Sequence, residues 1–487
     1  MLLKKSFLKF ILPIASFALL NTNPLLYATT SENTIFPATD SRIHYIGRSY
    51  QTGKDAISIC WPGTSIKTNF QGTSVGIYLE NMPNDYPDAN YINVFIDGKQ
   101  LEPIKCDRST DYILLEDGLE DTVHTLEIFK RSDGNAGPIT LKGISLDKHK
   151  ELVSPEEEDL LKIEFYGDSI LSGAAVEAPT YLDKTDEELK ALKLEREPFS
   201  EFSTWNNYLA FPAITARNLN ADYSCISQGG VGLTNSSIPG LNMKMLWNQA
   251  GGPTDWKIGP DNKSYIWDFS QSTPADYVII SLGGNDIKYG IQGDFKTEYI
   301  QFINTIRSQY PLATILCVTT PPSINDSPSI AEPIKSAVET LNANGDTNVF
   351  YYRFHEYTPY EIYEHPRVET QKALSDELTK VIKEHIASNL EVTFNITGQY
   401  DTGSNVDFTL TNHNDFPITN WIVDCTLDEE EVITNLWNAK FTTQENVITI
   451  QNQDFNATIP PNSSITFGAQ ISNDGELHLT NLNCGLR

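Results

Sequence analysis

The chain has 487 residues, too many for one compact core, so roughly two to four domains are expected. Its 35 basic and 64 acidic side chains give a formal net charge of −29, which repels nucleic acid and anionic membrane and favours a neutral or weakly charged partner. Six cysteines, at 60, 106, 225, 317, 425 and 484, are scattered without metal-ligand spacing, so no metal site is expected, and Cys225 and Cys317 read as core packing.

The first stretch, "MLLKKSFLKFILPIASFALLNTNPLLYATT", has lysines at 4, 5 and 9, an apolar run from Phe10 to Leu20 and small residues near Ala28. That order predicts a secretory signal peptide over residues 1–28, too short and wrongly flanked for a spanning anchor. Its removal takes the charge to −32, since three lysines leave and no acidic residue goes with them. No later segment approaches the roughly 20 continuous apolar residues of a membrane span. The mature chain is expected to be secreted, extracellular and free of the membrane.

From 34 to 150 short alternating runs are separated by turns, as in "SIKTNFQGTSVGIYL", "YINVFIDGKQLEPI" and "HTLEIFKRSDGNAGPITLKGISL". Asp97-Gly98 is a two-residue hairpin signal, and the whole predicts an all-β sandwich of jelly-roll type. After the acidic connector "SPEEEDLL" the apolar runs "KIEFYG", "DYVIISLGG", "TILCVTT" and "NVFYYRF" alternate with helical patterns such as "WNNYLAFPAITARNL" and "RVETQKALSDELTKVIKEHI". Residues 157–390 are therefore expected to form one α/β domain, a parallel sheet wrapped by helices, with 177–204 and 240–272 as insertions on its rim. From 391 to 487 alternation returns in "EVTFNITGQY", "VDFTLTNHN" and "NWIVDCTL", which predicts a second β-sandwich. The fold class is thus a multidomain chain, sandwich, α/β, sandwich.

Reactive groups in open parallel sheets collect where strands end and loops begin. The run "IEFYGDSILSG" takes a strand into Gly167-Asp168-Ser169 and a helix start, which suits a nucleophile beside backbone amides, or equally a plain N-cap at Asp168 or Ser169. In "IISLGGNDIKYG" two glycines allow a sharp turn, and Asn285 either presents its amide to a negative oxygen or fills a tight turn. Of the eight histidines, His44, His124, His413 and His478 fall in the two β modules, His149 in the connector and His385 inside the last helix. His355 and His365 remain as candidate bases. Pro366 reads as the first residue of the last helix, with His365 at its cap.

The blocks GDS, a glycine in "SQGGVGL", GGND and HP resemble the SGNH (GDSL-type) hydrolases. The span from about 40 to 390 is similar to carbohydrate esterase family two, through "CWPGTSIKTNFQGTSV", "NVFIDGKQL" and "HTLEIFKRSDG" in that order, then "WDFS" ahead of "IISLGGND". The resemblance implies Ser169 as nucleophile and His365 as general base. Gly230, matched in preference to Gly229, and Asn285 complete the oxyanion hole beside the Ser169 amide, and no metal or organic cofactor is implied. Such enzymes usually carry an acid two or three residues before the histidine; here those positions are Tyr363 and Ile362. Some members of the family work with a Ser-His dyad, which implies a main-chain oxygen on Nδ1 of His365, with Glu361 and Glu364 as weaker orienting candidates.

The C-terminal stretches "NWIVDCTL", "ITNLWNAKFTTQENVITIQNQDFNATIPPNSSITFGAQ" and "NCGLR" resemble a family-two carbohydrate-binding module of the cellulose-binding type. The resemblance implies a flat aromatic face at Tyr400, Trp437 and Phe455, with Trp421 and Phe467 as core, and a disulfide between Cys484 and Cys425. Together these features imply a secreted acetyl esterase acting on acetylated cell-wall polysaccharide such as xylan or glucomannan, held near cellulose or xylan by its last domain. The alternatives are an SGNH lipase or thioesterase on acyl lipids, and a non-catalytic glycan-binding protein.

Overall fold

A computed structural model describes residues 33–81, 90–107, 110–156, 160–178, 202–251, 265–320, 326–356, 365–444 and 446–486. The expected signal peptide, Glu361, Glu364 and most of the 177–204 insertion lie outside these residues.

The N-terminal domain is a sandwich of two antiparallel sheets of six and seven strands. Alternation drives it: in Ser65–Gly72 every second side chain is buried, and the inward set, with Phe70, Ile77, Val94 and Ile144, forms the core between the sheets. Asp97 and Gly98 both take positive φ, 51° and 74°, as the tight turn between Asn90–Ile96 and Lys99–Gln100 requires.

The central domain is built on five parallel strands: β1 (Lys162–Gly167), β2 (Asp222–Ser227), β3 (Tyr277–Ser281), β4 (Thr314–Thr319) and β5 (Val349–Arg353). Their order is β2-β1-β3-β4-β5. Strand β2, from "DYSCIS", is one that the sequence reading did not single out. Strands β3 and β4 are buried along their whole length because helices cover both faces. On one face lie α2 (Phe211–Asn218) and α6 (Val368–Ala387); on the other lie α4 (Phe295–Gln309) and α5 (Pro328–Ala343). Between β1 and α2, α1 (Ser169–Ser172) is a single turn, and α3 (Gly284–Tyr289) follows β3. Register fixes where the turns lie. Gly167 pairs with Ser227 on one side and Ser281 on the other, so the chain leaves β1, β2 and β3 at one level, with three turns side by side.

The two domains share their interior. Trp61, from "CWPGTSI", is 1% exposed and packs in the hydrophobic core of the central domain, where its Nε1 donates to Gln249 O at 2.9 Å. The Arg48 guanidinium, equally buried, pairs with Glu164 at 3.0 Å and donates to the Tyr166 hydroxyl.

The C-terminal domain is a sandwich of two four-stranded antiparallel sheets, one holding Leu390–Tyr400, Gly403–Asn412, Ser463–Ser472 and Val432–Trp437, the other Lys440–Gln444, Val447–Gln451, Trp421–Thr426 and Thr480–Leu486. Trp421 and Phe467 stack at 5.0 Å inside it, as core. The expected disulfide is not formed: Cys425 and Cys484 are both free thiols. The register places Cys484 opposite Val423, and an irregularity between Asp424 and Thr426 carries Cys425 out of step with it. Only Ser388 and Asn389 separate α6 from the first strand of this domain. The junction is packed, with Phe416 against Tyr277 at 5.7 Å and Asn414 Nδ2 donating to Ile386 O.

Candidate active site

The three turns at the ends of β1, β2 and β3 carry Ser169, Gly230 and Asn285, and the residues before α6 bring in His365. Ser169 Oγ lies 2.6 Å from His365 Nε2. With the ring proton on Nδ1, the serine hydroxyl donates to Nε2, which is the arrangement that lets an imidazole take the proton during attack. His365 is not the helix cap. Helix α6 begins at Val368 with Arg367 as N-cap, because Pro366 keeps the residue before it extended and delays the first turn. The rival, His355, is an exposed side chain whose Nδ1 meets Glu377 at 2.8 Å.

Asp168 is the N-cap of α1, its Oδ1 accepting from Ile170 N at 3.0 Å. Capping and nucleophile presentation therefore belong to adjacent residues of one turn. Gly173, at φ 72°, ends the helix after four residues, so the serine sits among oriented amides rather than at the head of a long dipole. Asn285 Nδ2 donates to Asp168 Oδ2 at 3.2 Å and to Val231 O at 3.1 Å. Burial above all, and then the nearby Asp286 carboxylate, push the Asp168 carboxyl up to about 7.

Gly230 takes φ 78°, where any other side chain is strained, and a Cβ there would lie 2.2 Å from Ser237 Oγ. Its carbonyl accepts from Ser237 N at 2.9 Å. Among the described residues the amides of Ser169 and Gly230 donate to no other group, while the Gly229 amide donates to Asp133 Oδ2 at 2.6 Å. Two residues absent from the sequence reading hold this loop. Asp286, buried in the GGND turn, accepts from the amides of Leu233, Thr234 and Asn235. Asp133 comes from the N-terminal sandwich, and burial raises its carboxyl to about 6. The GGND motif itself signals Asp286; nothing local to the loop signals Asp133.

Of the three aromatics expected on the C-terminal domain, Tyr400 is 56%, Trp437 37% and Phe455 76% exposed. Trp437 pairs with Gly468 across the sheet, and its indole fills the space above that glycine, where a Cβ would meet Cζ2 at 2.3 Å. Asn456 Nδ2 donates to Asn438 O and Gln453 Nε2 to Ala439 O, which ties the turn bearing Phe455 to the residues after Trp437. On the same sheet Asn405 Nδ2 donates to the Tyr400 hydroxyl at 3.4 Å.

Residues 45–155 match the carbohydrate esterase 2 N-terminal family, 165–382 the GDSL-like lipase/acylhydrolase family and 390–484 the cellulose binding domain family. The chain is 28% identical over 350 residues to the cellulase/esterase CelE of Acetivibrio thermocellus, covering 70% of this chain and 39% of that relative. It is 25% identical over 375 residues to an acetylxylan esterase / glucomannan deacetylase of Cellvibrio japonicus, covering 75% of this chain and 93% of that one. A solved family two carbohydrate esterase from Clostridium thermocellum, in complex with cellohexaose, superposes with a TM-score of 0.58 at 26% identity over 70% of this chain and 98% of the other.

Proposed function

We infer, from a chain that matches in turn the carbohydrate esterase 2 N-terminal, GDSL-like lipase/acylhydrolase and cellulose binding domain families, an enzyme that removes O-acetyl groups from plant cell-wall polysaccharide, xylan or glucomannan. The observation that carries this reading is Ser169 Oγ at 2.6 Å from His365 Nε2, beside the amides of Ser169 and Gly230, which among the described residues donate to no other group.

The reaction is acyl transfer in two steps. His365 takes the Ser169 proton as Oγ attacks the acetyl carbonyl carbon. Negative charge then grows on the carbonyl oxygen, where the Ser169 and Gly230 amides receive it. Asn285 serves as the third donor. Both of its present bonds are long, so one can be exchanged for a stronger bond to an oxyanion. As the intermediate collapses, the bond to the sugar oxygen breaks and His365 returns its proton to that oxygen, which leaves as a hydroxyl. Water, its proton taken by His365, attacks the acetyl-serine carbonyl in the same geometry; the bond to Oγ then breaks, His365 returns the proton to Oγ, and acetate leaves.

The exposed aromatics Tyr400, Trp437 and Phe455 act as a platform for a flat polysaccharide chain. Sugar rings present axial hydrogens to an aromatic face while their hydroxyls stay in water. The protein is exported through its N-terminal leader and works outside the cell. These assignments are tested by acetate release from acetylated xylan, glucomannan and cello-oligosaccharides. Wild type is expected to act on the polysaccharides, with Ser169→Ala inactive. Cleavage of long-chain acyl esters alone would favour a lipase.

A further inference from the structure

The stretch "KRSDGN", residues 130–135, ends a strand of the N-terminal sandwich, yet it is turned toward the other domain. Asp133 is fully buried, and each of its oxygens accepts a short bond from an amide: Oδ1 from Asn135 N and Oδ2 from Gly229 N, both at 2.6 Å. Asn135 Nδ2 donates to Gly229 O at 3.3 Å. That carbonyl belongs to the same planar peptide unit as the Gly230 N–H. Holding the oxygen on one side points the hydrogen to the opposite side, away from the sandwich.

The rest of the segment braces this contact. Lys130, fully buried, donates from Nζ to the carbonyls of Ser132 and Asp133. Arg131 donates from Nε to Trp205 O at 3.0 Å and from Nη2 to Ser203 O at 2.8 Å. The Trp205 ring edge in turn closes the space over Gly229, where a Cβ would meet Cη2 at 2.8 Å. A single strand end thus fixes two loops of the neighbouring domain, with Asp133 and Asn135 gripping Gly229 from its two polar atoms.

We propose that Asp133 and Asn135 of the β-sandwich are positioning residues for the esterase: they set the plane of the Gly229–Gly230 peptide so that the Gly230 N–H faces the developing oxyanion. This rests on the reading of Ser169 and Gly230 as catalytic centre. It gives the sandwich a part in the chemistry beyond its packing. Asp133→Asn turns one of two acceptors into a donor facing an N–H. Asn135→Asp sets a carboxylate against the Gly229 carbonyl, and Asn135→Ala simply releases it.

The test measures kcat and KM on 4-nitrophenyl acetate, and the rate at which a fluorophosphonate labels Ser169, in full-length wild type, these three variants and Ser169→Ala, with melting curves for each. Loss of one oxyanion donor elsewhere costs about 100- to 1,000-fold in turnover, so Asp133→Asn and Asn135→Asp are expected to lose about 30- to 300-fold in kcat. KM should stay within about threefold, and labelling should slow in parallel with kcat. Asn135→Ala should lose less, about 5- to 30-fold, by the same principle. Folded variants with near wild-type kcat and labelling, alongside an inactive Ser169→Ala, overturn the positioning role and leave the catalytic reading intact. A loss confined to KM overturns it equally. Should Asp133→Asn fail to fold, the two Asn135 variants decide. Retained activity in Ser169→Ala would instead sink the catalytic reading itself.

Discussion

The buried carboxyl of Asp133 makes a prediction about stability that is separate from its effect on turnover. Burial raises it from 3.8 to about 6 against the pull of the Gly229 and Asn135 amides, the Lys130 ammonium and the Ser172 hydroxyl. The native state therefore holds this proton more tightly than the unfolded chain does. Between pH 3.8 and 6 it binds more protons than the unfolded state, so stability falls as pH rises through that window and stays reduced above it. A shift of that size corresponds to about 3 kcal/mol, at about 1.4 kcal/mol per pH unit. Asp133→Asn removes the titration. It also costs a constant amount through the lost acceptor, so the informative quantity is the difference between wild type and variant as a function of pH. Titrating groups that do not interact with Asp133 cancel in that difference. Lys130, lowered to about 8, titrates above the window. Calorimetry of the transition assigned to the sandwich and esterase domains, together about 350 residues at about 2.1 cal/mol/K each, should show wild type gaining roughly 3–4 °C on the variant between pH 7 and pH 4. A difference in melting temperature that is the same at both ends of that range would refute the argument.

Other expectations concern orientation and binding. His365→Ala should lose activity by about 10,000-fold or more, as removal of a catalytic base does, whereas His355→Ala, whose ring is held by Glu377 at the surface, should behave as wild type in the same assay. The proposed Ser-His dyad, with a main-chain oxygen on Nδ1, predicts that Glu361→Gln and Glu364→Gln each keep deacetylation within about tenfold; a loss of several hundredfold in either variant, toward the roughly 10,000-fold seen when a triad acid is changed, would assign it as the third member. Trp437→Ala should release the protein from insoluble cellulose or xylan without altering turnover of a small soluble ester. Gly468→Ala should weaken binding by about 5- to 50-fold by lifting the indole off the sheet, given that a buried aromatic contact contributes about 1–3 kcal/mol; depletion isotherms on microcrystalline cellulose would expose an unchanged affinity.

Much of this architecture is legible in the residues because it is written in local patterns. The apolar runs of β3, β4 and β5 are continuous and short, and each ends at serine, threonine or arginine beside a turn, while β1, interrupted at Glu164, is marked by the GDS motif at its end. The serine and the glycine-rich turns lie on strand ends, so their motifs point to one edge of the sheet, and the histidine is marked by the HP pair ahead of α6. What the sequence hides is whatever depends on partners far along the chain. Asp133 and Gly229 are 96 positions apart and belong to different domains, and no periodicity links them. Strand β2 is interrupted by polar residues, since Asp222 and Ser224 sit at a half-buried stretch of the sheet. The helix α6 starts at Val368, beyond Pro366, because proline fits the extended segment before a helix as well as it fits the first turn. The pairing of Cys425 with Cys484 depended on a register that only the assembled sheet defines.

The two-residue passage from α6 into the last sandwich bears on how the enzyme meets a solid substrate. With Phe416 against Tyr277 and only two residues between α6 and the sandwich, the proposed aromatic face has little freedom to move relative to Ser169. A tethered binding module lets its partner sweep a volume whose radius grows with the linker. Here that radius collapses toward a point. On the proposed activity, each landing on a fibre would expose only the acetyl groups at one offset from the footprint, and further progress would wait on detachment and a new landing. Deacetylation of an insoluble polymer should then show a fast first phase followed by a slow one paced by desorption. A flexible spacer inserted between Ser388 and Asn389 would lengthen the first phase without changing the rate on a soluble ester.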